Sequence, residues 1–300
     1  MCRAIRNRSE AVGQNLTLFE IKNMNSKKIL VTLLFLIAQA VWASSVDVVL
    51  LGDNSRLSLL KQCGVNCKVG ASIVGTPPQG STASEIASYS YHAKHALVVV
   101  DAAKGPLPIT REHIQIARQA GVSSLSIMFV NMRALEGMKD AGELVELEEQ
   151  EVRKLMKLYE MDGDGAMVFH DTKISSTPKL HTNGLAFQSA LNYGASTPER
   201  KSLKANYRTG KRFSSYVYLL TPQESKYTQP LTKSSPVRLW VNGQVVDGAV
   251  ISKEGISPGG NGKLLLETIS AVSAAEGARF LLERDGGVIA LGVIVRIEHP

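Results

Sequence analysis

Five runs of apolar, largely β-branched residues punctuate the first two-thirds of the chain, and none reads as a strict alternation of apolar and polar positions. They are VDVVLL at 46–51, ASIVG at 71–75, ALVVVD at 96–101, a run across 123–129, and GAMVFH at 165–170. A strand with one face in water alternates, so continuous runs imply strands covered on both faces. Helical stretches lie between them. In the longest, AGELVELEEQEVRKLMKLYEM, the residues Val145, Val152, Leu155, Met156 and Tyr159 fall on one face. Its acidic front and basic rear complement the helix dipole, and the spacing predicts a helix packed on a sheet rather than one reserved for a partner. Strand–helix alternation predicts an α/β domain over 44–192, built on a parallel, doubly wound sheet.

The pattern changes after Tyr193. Residues 193–212, YGASTPERKSLKANYRTGKR, read as a linker. After Glu199 it carries six basic residues and no acidic one: Arg200, Lys201, Lys204, Arg208, Lys211 and Arg212. Such a run is either a solvated tether or a contact for anionic groups. From Phe213 onward come short strand signals: FSSYVYLL, VRLWV, QVVDGAV, KLLLETISAV, ARFLLE and VIALGVIVRI. Asn242-Gly243 and Asp285-Gly286-Gly287 are tight-turn sequences between them. The second unit, 213–300, is therefore all-β, a barrel or sandwich.

The N-terminal region bears on location. Residues 24–43 place Lys27 and Lys28 before an apolar stretch from Ile29 to Val41, broken only by Thr32 and Gln39. Val41-Trp42-Ala43 then offers a cleavage point between Ala43 and Ser44. The run is short for a membrane span, so a cleaved secretory signal is expected, with an uncleaved anchor as the alternative. Residues 1–23 are polar and patternless, which makes Met24 the expected start. A periplasmic or secreted protein follows from this reading. Cys2 falls in the leader, leaving Cys63 and Cys67 in CGVNC as a candidate disulfide or as two free thiols. Two sulfurs alone make half a zinc site. The formal net charge of +7 favours anionic partners only weakly.

Specific stretches resemble one family. GPLPITREHIQIARQAGV (105–122), EQEVRKLMKLYEMDGD (149–164) and STPER (196–200) are similar to segments of the GTPase domain of elongation factor Tu. SPGGN (257–261) and GARFLLERDGGVIALGVIVRI (277–297) resemble the last strands of that family's third domain. The resemblance implies a P-loop GTPase fold followed by a β-barrel, with the family's second domain missing. It also implies GTP or GDP with Mg²⁺ as cofactor, and transfer RNA and an exchange factor as partners.

Position by position, the nucleotide motifs are degraded. A phosphate-binding loop, G-x-x-x-x-G-K-[ST], needs glycine for close backbone approach, lysine for phosphate charge and a hydroxyl for Mg²⁺. Here GDNSRLSL keeps Gly52 but has Leu57, Ser58 and Leu59 at the last three positions. Between the first helix and the strand at 71 only KQCGVNCKVG stands where the first switch, with its Mg²⁺-binding threonine, belongs. The D-x-P-G-H element falls on Gly75, Pro77, Pro78 and Gln79, and proline has no N–H for a phosphate. The guanine-reading N-K-x-D falls on Asn131, Met132 and Ala134. The S-A-L element should fall near 170–172, and the literal SAL at 189–191 is a coincidence on the last helix.

These substitutions predict no nucleotide, no metal and no catalysis, and hence an exported interaction or scaffold protein. Its expected partner is a protein or an anionic envelope component, with no role for transfer RNA or the ribosome. A guanine-nucleotide-binding translation factor, with GTP or GDP and Mg²⁺, is the alternative, and an unrecognised envelope enzyme the third reading. Three histidine groupings were weighed as minor candidates: His92 with His95 as metal ligands, His170-Asp171 with His181 as a hydrolytic or metal cluster, and His113 as structural.

Overall fold

The structure, a computed structural model, describes residues 46–64, 66–173, 186–199 and 206–298. The leader at 24–43, its cleavage point between Ala43 and Ser44, and Arg200, Lys201, Lys204 and His181 lie outside the described residues.

The first unit runs β1 (Val48–Gly52), α1 (Ser55–Cys63), β2 (Lys68–Val69), β3 (Ser72–Gly75), α2 (Ala83–Ser90), β4 (His95–Asp101), α3 (Pro108–Ala120), β5 (Ser124–Val130), α4 (Ala141–Leu158), β6 (Met167–His170) and α5 (Ala186–Ser196). The sheet order is β2-β3-β1-β4-β5-β6. All neighbours pair parallel except β2, which is antiparallel to β3 at the edge. The double coverage inferred from the apolar runs is present. Val49, Leu51, Val98, Val100, Ile127 and Phe129 join a core with Ile114, Ile116, Val145 and Val152. The alternate residues Val48, Leu50, Leu97, Val99 and Met128 pack on the other face with Leu59 and Leu191. Along α4, Val145, Val152, Leu155, Met156 and Tyr159 are all buried, so this face belongs to the sheet.

Three boundaries differ from the sequence reading. β5 starts one residue later than the run at 123–129. β2 has only two residues, too few to carry a period. It turns back on β3 through Gly70 at φ +60°, beside the Cys63–Cys67 disulfide, whose Cα atoms are 5.3 Å apart. The linker is also shorter than 193–212, because α5 continues to Ser196 and the next strand opens at Arg208. Arg208, Lys211 and Arg212 are thus strand residues. Arg212 Nε lies 2.7 Å from Glu267 Oε1 and Arg208 Nη1 lies 4.0 Å from Glu276 Oε1. The acidic partners come from β10 and the turn that follows it, which a local charge count cannot register.

The second unit comprises β7 (Arg208–Leu219), β8 (Pro236–Val241), β9 (Gln244–Val250), β10 (Asn261–Ala274), β11 (Arg279–Arg284) and β12 (Gly287–Glu298). They close into an antiparallel barrel in the order β10-β7-β12-β11-β8-β9. Phe213, Val217, Leu239, Leu264, Phe280 and Ile294 belong to its core. Two hairpins turn where expected, with Asn242 and Gly243 at φ 49° and 75°, and Asp285 and Gly286 at 51° and 80°. Consecutive positive φ values suit the right-handed twist of the flanking strands.

The two units share a core. Trp240, Leu281, Val288 and Leu291 of the barrel sit in the same apolar cluster as the sheet residues beneath α2 and α3. Hydrogen bonds reinforce the joint. Ser84 N–H donates to Glu283 Oε2 at 2.6 Å, and the Ser84 hydroxyl bonds the same oxygen. Ala83 N–H reaches Gly286 O at 2.8 Å, Trp240 Nε1–H donates to Ser88 Oγ at 2.9 Å, and Val288 N–H donates to Glu112 Oε1 at 3.0 Å.

Two outcomes follow from this packing. Glu283 is 3% exposed, and Glu283→Ala leaves the Ser84 N–H and hydroxyl without their acceptor. The expected loss is about 2–3 kcal/mol. Urea unfolding followed by far-UV circular dichroism and by fluorescence should stay a single coincident transition, because the core is continuous. Two separated transitions would contradict the shared core. Glu148, on α4, is buried, with Oε2 lacking a hydrogen-bond partner. Burial, then the charges of Asp101 and Glu151, push its carboxyl up to about 7. The folded state therefore favours the protonated form. That stability is full below the unfolded carboxyl value of about 4.3 and is lost as pH rises through about 7. Glu148→Gln should raise the unfolding free energy most at pH 8, by on the order of 1–3 kcal/mol, and little at pH 4.5, as read from urea unfolding at each pH.

Candidate functional site

The loop from β1 to α1 begins at Gly52, with φ +90°, where an added Cβ would overlap the Val99 carbonyl oxygen. Only glycine fits. Its N–H donates to His113 Nδ1 at 2.8 Å. His113 is 1% exposed. Burial, then the charge of Arg56, hold its imidazole at about 3, so the ring is neutral and Nδ1 is free to accept.

Only Asp53 and Asn54 separate Gly52 from α1. Asp53 is buried and its Oδ1 accepts the Ser55 N–H at 2.8 Å. A carboxylate on the first turn satisfies N–H groups that a helix otherwise leaves open to an anion. Arg56 is 2% exposed. Its Nη1 donates to Gly52 O at 3.2 Å and Asn54 Oδ1 at 2.7 Å, and Nη2 donates to Pro77 O at 3.4 Å. Burial lowers its pKa and the Asp53 charge opposes that. Leu57 is half-buried, Ser58 is exposed, and Leu59 is packed beneath the sheet.

The second segment leaves β3 at Gly75. A side chain there would run into the Tyr89 hydroxyl, so the aspartate of the family motif has no room. Thr76 Oγ1 donates to Leu50 O at 2.8 Å, Pro77 is buried, and Pro78 and Gln79 are exposed.

In the third segment Asn131 adopts φ 61°. Its Nδ2 donates to Asp101 Oδ1 at 3.1 Å, and its N–H donates to Asp171 Oδ2 at 2.7 Å. Met132 N–H reaches Asp171 Oδ1 at 3.3 Å. The Met132 side chain is in the core, and Ala134 is exposed on the short 3-10 turn Met132–Leu135. Burial raises the Asp171 carboxyl, opposed by backbone N–H groups of Asn131, Met132 and Thr172. Asp171 lines a cleft of about 490 Å³ with Ser55, Ser58, Gln62, Asn131 and Phe187. Among the described residues no Lys or Arg lines it.

The histidine groupings separate. His170 is buried and stacks on Phe129, ring centroids 5.5 Å apart, with no hydrogen bond at either ring nitrogen. Asp171 instead lines the cleft. His92 is exposed beyond the end of α2, whereas His95 is buried between the hydroxyls of Ser124 and Ser126 at 3.0 and 2.8 Å. The pair therefore shares no helix face. Among the described residues no group of three or more His, Cys, Asp or Glu could hold a metal ion, and no helix is long and apolar enough to cross a membrane. Sequence reading missed Asp53 and Arg56. The D-x-S spacing at the start of α1 was the available signal, since an aspartate there accepts helix N–H groups.

Residues 72–215 match the family model described as the elongation factor Tu GTP binding domain. The matched segment opens at the first residue of β3 and extends into β7, so it leaves out β1 and α1. The stretch from Thr197 to Tyr207 is too short to hold a further domain before the barrel. The chain thus has a GTPase-type α/β domain, most of which is similar to the elongation factor Tu GTP binding domain, followed directly by a closed six-stranded barrel.

Proposed function

We propose that this chain is an exported, non-catalytic interaction protein that has kept the elongation factor Tu scaffold and lost guanine-nucleotide binding. The observation that carries the reading is the loop at the start of α1, where the Asp53 carboxylate accepts the Ser55 N–H and Arg56 bonds back to Gly52. The residues present do not fit a Mg²⁺-bound guanine nucleotide. Ser58 supplies no cation, Gly75 no metal-binding carboxylate, Pro78 no N–H and Ala134 no acceptor for the guanine edge. Each missing charge-assisted contact removes about 1.5–3 kcal/mol. A translation factor that binds guanine nucleotide is the second reading, favoured by the family match and by the open cleft beside Asn131.

Calorimetric titration with GDP and GTP in the presence of Mg²⁺ separates the two. No saturable heat is expected at about 10 μM ligand, and no GTP hydrolysis above background. A dissociation constant near 1 μM, about −8 kcal/mol, would put the second reading first. Export rests on the Lys27-Lys28 and Ile29-to-Val41 pattern. N-terminal sequencing of the envelope fraction should return a chain beginning at Ser44, with no alkylatable thiol at Cys63 or Cys67 before reduction. A cytosolic chain beginning at Met24 would remove the export half of the reading and leave the nucleotide half standing.

A further inference from the structure

Helix α4 packs one face on the sheet through Val145, Val152, Leu155 and Met156, which leaves the opposite side in water. Two leucines stand on that side, Leu147 and Leu158, each 63% exposed. Taken singly, an exposed leucine needs no explanation. These two are eleven residues apart, close to three helical turns. Between them, at i+4 and i+7, the exposed Glu151 and Lys154 fall on the same stripe. The stripe therefore reads Leu, Glu, Lys, Leu. Neighbouring charges of the helix are already engaged, Arg153 with Glu149 at 2.8 Å and Lys157 with Asp164 at 2.9 Å. Glu151 and Lys154 form no ion pair among the described residues. An apolar side chain at each end and two unspent opposite charges in the middle make a surface that is complementary to itself.

We propose that this stripe is the contact of a homodimer, in which α4 of a second copy of the chain lies antiparallel across it. The charges select that occupant. About a twofold axis between Val152 and Arg153, Leu147 faces Leu158 of the partner subunit and Glu151 faces Lys154 of the partner subunit. Each pair occurs twice, as a twofold contact requires. A parallel arrangement sets carboxylate on carboxylate and ammonium on ammonium, which is costly. The antiparallel one also lays the acidic front of the helix, with Glu143 and Glu146 exposed, along the basic rear of its copy, and the two helix dipoles oppose. A strongly acidic or strongly basic partner is not selected, because the stripe carries one charge of each sign. The leucines are about 16 Å apart along the axis, so one helix face supplies the contact. Interfaces below about 1,200 Å² belong to weak, reversible associations. The dimer is therefore one that forms and parts in the micromolar range, not an obligate one.

The dimer draws on neither the loss of nucleotide binding nor export, so its failure leaves both standing. Purified full-length chain is followed by sedimentation velocity from low micromolar to several hundred micromolar, at low and at high salt. A monomer–dimer equilibrium with no larger species is expected, weakened by salt. Leu158→Glu should weaken dimerisation at least about tenfold. Glu151→Lys and Lys154→Glu should each do the same, because either reversal puts like charges together at both symmetry-related contacts. The two reversals combined in one chain should bring the dissociation constant back to within about threefold of the original. All three positions are exposed, so far-UV circular dichroism and the monomer's melting temperature should not change. Restoration by the double reversal is a result that a contact elsewhere on the molecule does not give. If one charge reversal does not fold, the concentration series and Leu158→Glu decide. A chain that stays monomeric throughout overturns the proposal. So does a species that keeps growing with concentration, a dimer unmoved by Leu158→Glu, or a double reversal no tighter than the single ones.

Discussion

The α/β domain leaves two N–H groups at the start of α2 to the barrel. Ala83 donates to Gly286 O and Ser84 to the Glu283 carboxylate, while Thr82 and Glu85 complete a capping box within the helix. A buried helix terminus with unsatisfied N–H groups is costly, so the position of α2 is fixed only when the β11–β12 hairpin is in place. The apolar contribution acts in the same direction, because Trp240 and Leu281 enter the core of the sheet. Direct succession of the two units thus has a physical basis: the barrel completes the first domain where another module would otherwise have to stand.

The same requirement governs α1 and bears on function. Helix N-termini are ready anion sites because their N–H groups point outward. In α1 the chain uses its own carboxylate, Asp53, on the Ser55 N–H. Gly52 is meanwhile drawn toward His113 and pressed against the Val99 carbonyl. A neutral, buried His113 is compatible with the adjacent guanidinium of Arg56, whose charge disfavours its protonation. The β1–α1 loop thus satisfies its own Ser55 N–H, while the buried Ser55 Oγ and Arg56 Nε have no hydrogen-bond partner.

Much of this was legible in the residues. Strands buried on both faces announce themselves by continuous apolar runs, and β1, β4 and β5 sit where those runs fall. The barrel was readable from its turns, since Asn242-Gly243 and Asp285-Gly286 adopt the φ values their chemistry allows. Pairings between distant segments were not readable. Arg212 looks like part of a basic tether until β10 brings Glu267 opposite it. The site was half legible. Leu57, Ser58, Pro78 and Ala134 can be scored as losses against a known motif, because each lacks a group the chemistry needs. Asp53 and Arg56 belong to no motif, and the role of Arg56 appears only when Pro77 and Asn54 are folded against it.

One wall of the cleft beside Asn131 is held by the chain's own hydrogen bonds. Asp171 accepts the N–H groups of Asn131 and Met132, and Asn131 Nδ2 is tied to Asp101. These bonds hold the left-handed turn at 131 and direct Met132 into the core. Removing a guanine-reading lysine or aspartate from such a turn leaves every one of those bonds intact. A wall built of such bonds does not depend on a guanine contact for its shape, whereas the N–H groups of a phosphate loop stay open until something accepts from them. Those N–H groups need an acceptor whether or not a phosphate is bound, and at the start of α1 the Asp53 carboxylate accepts the Ser55 N–H.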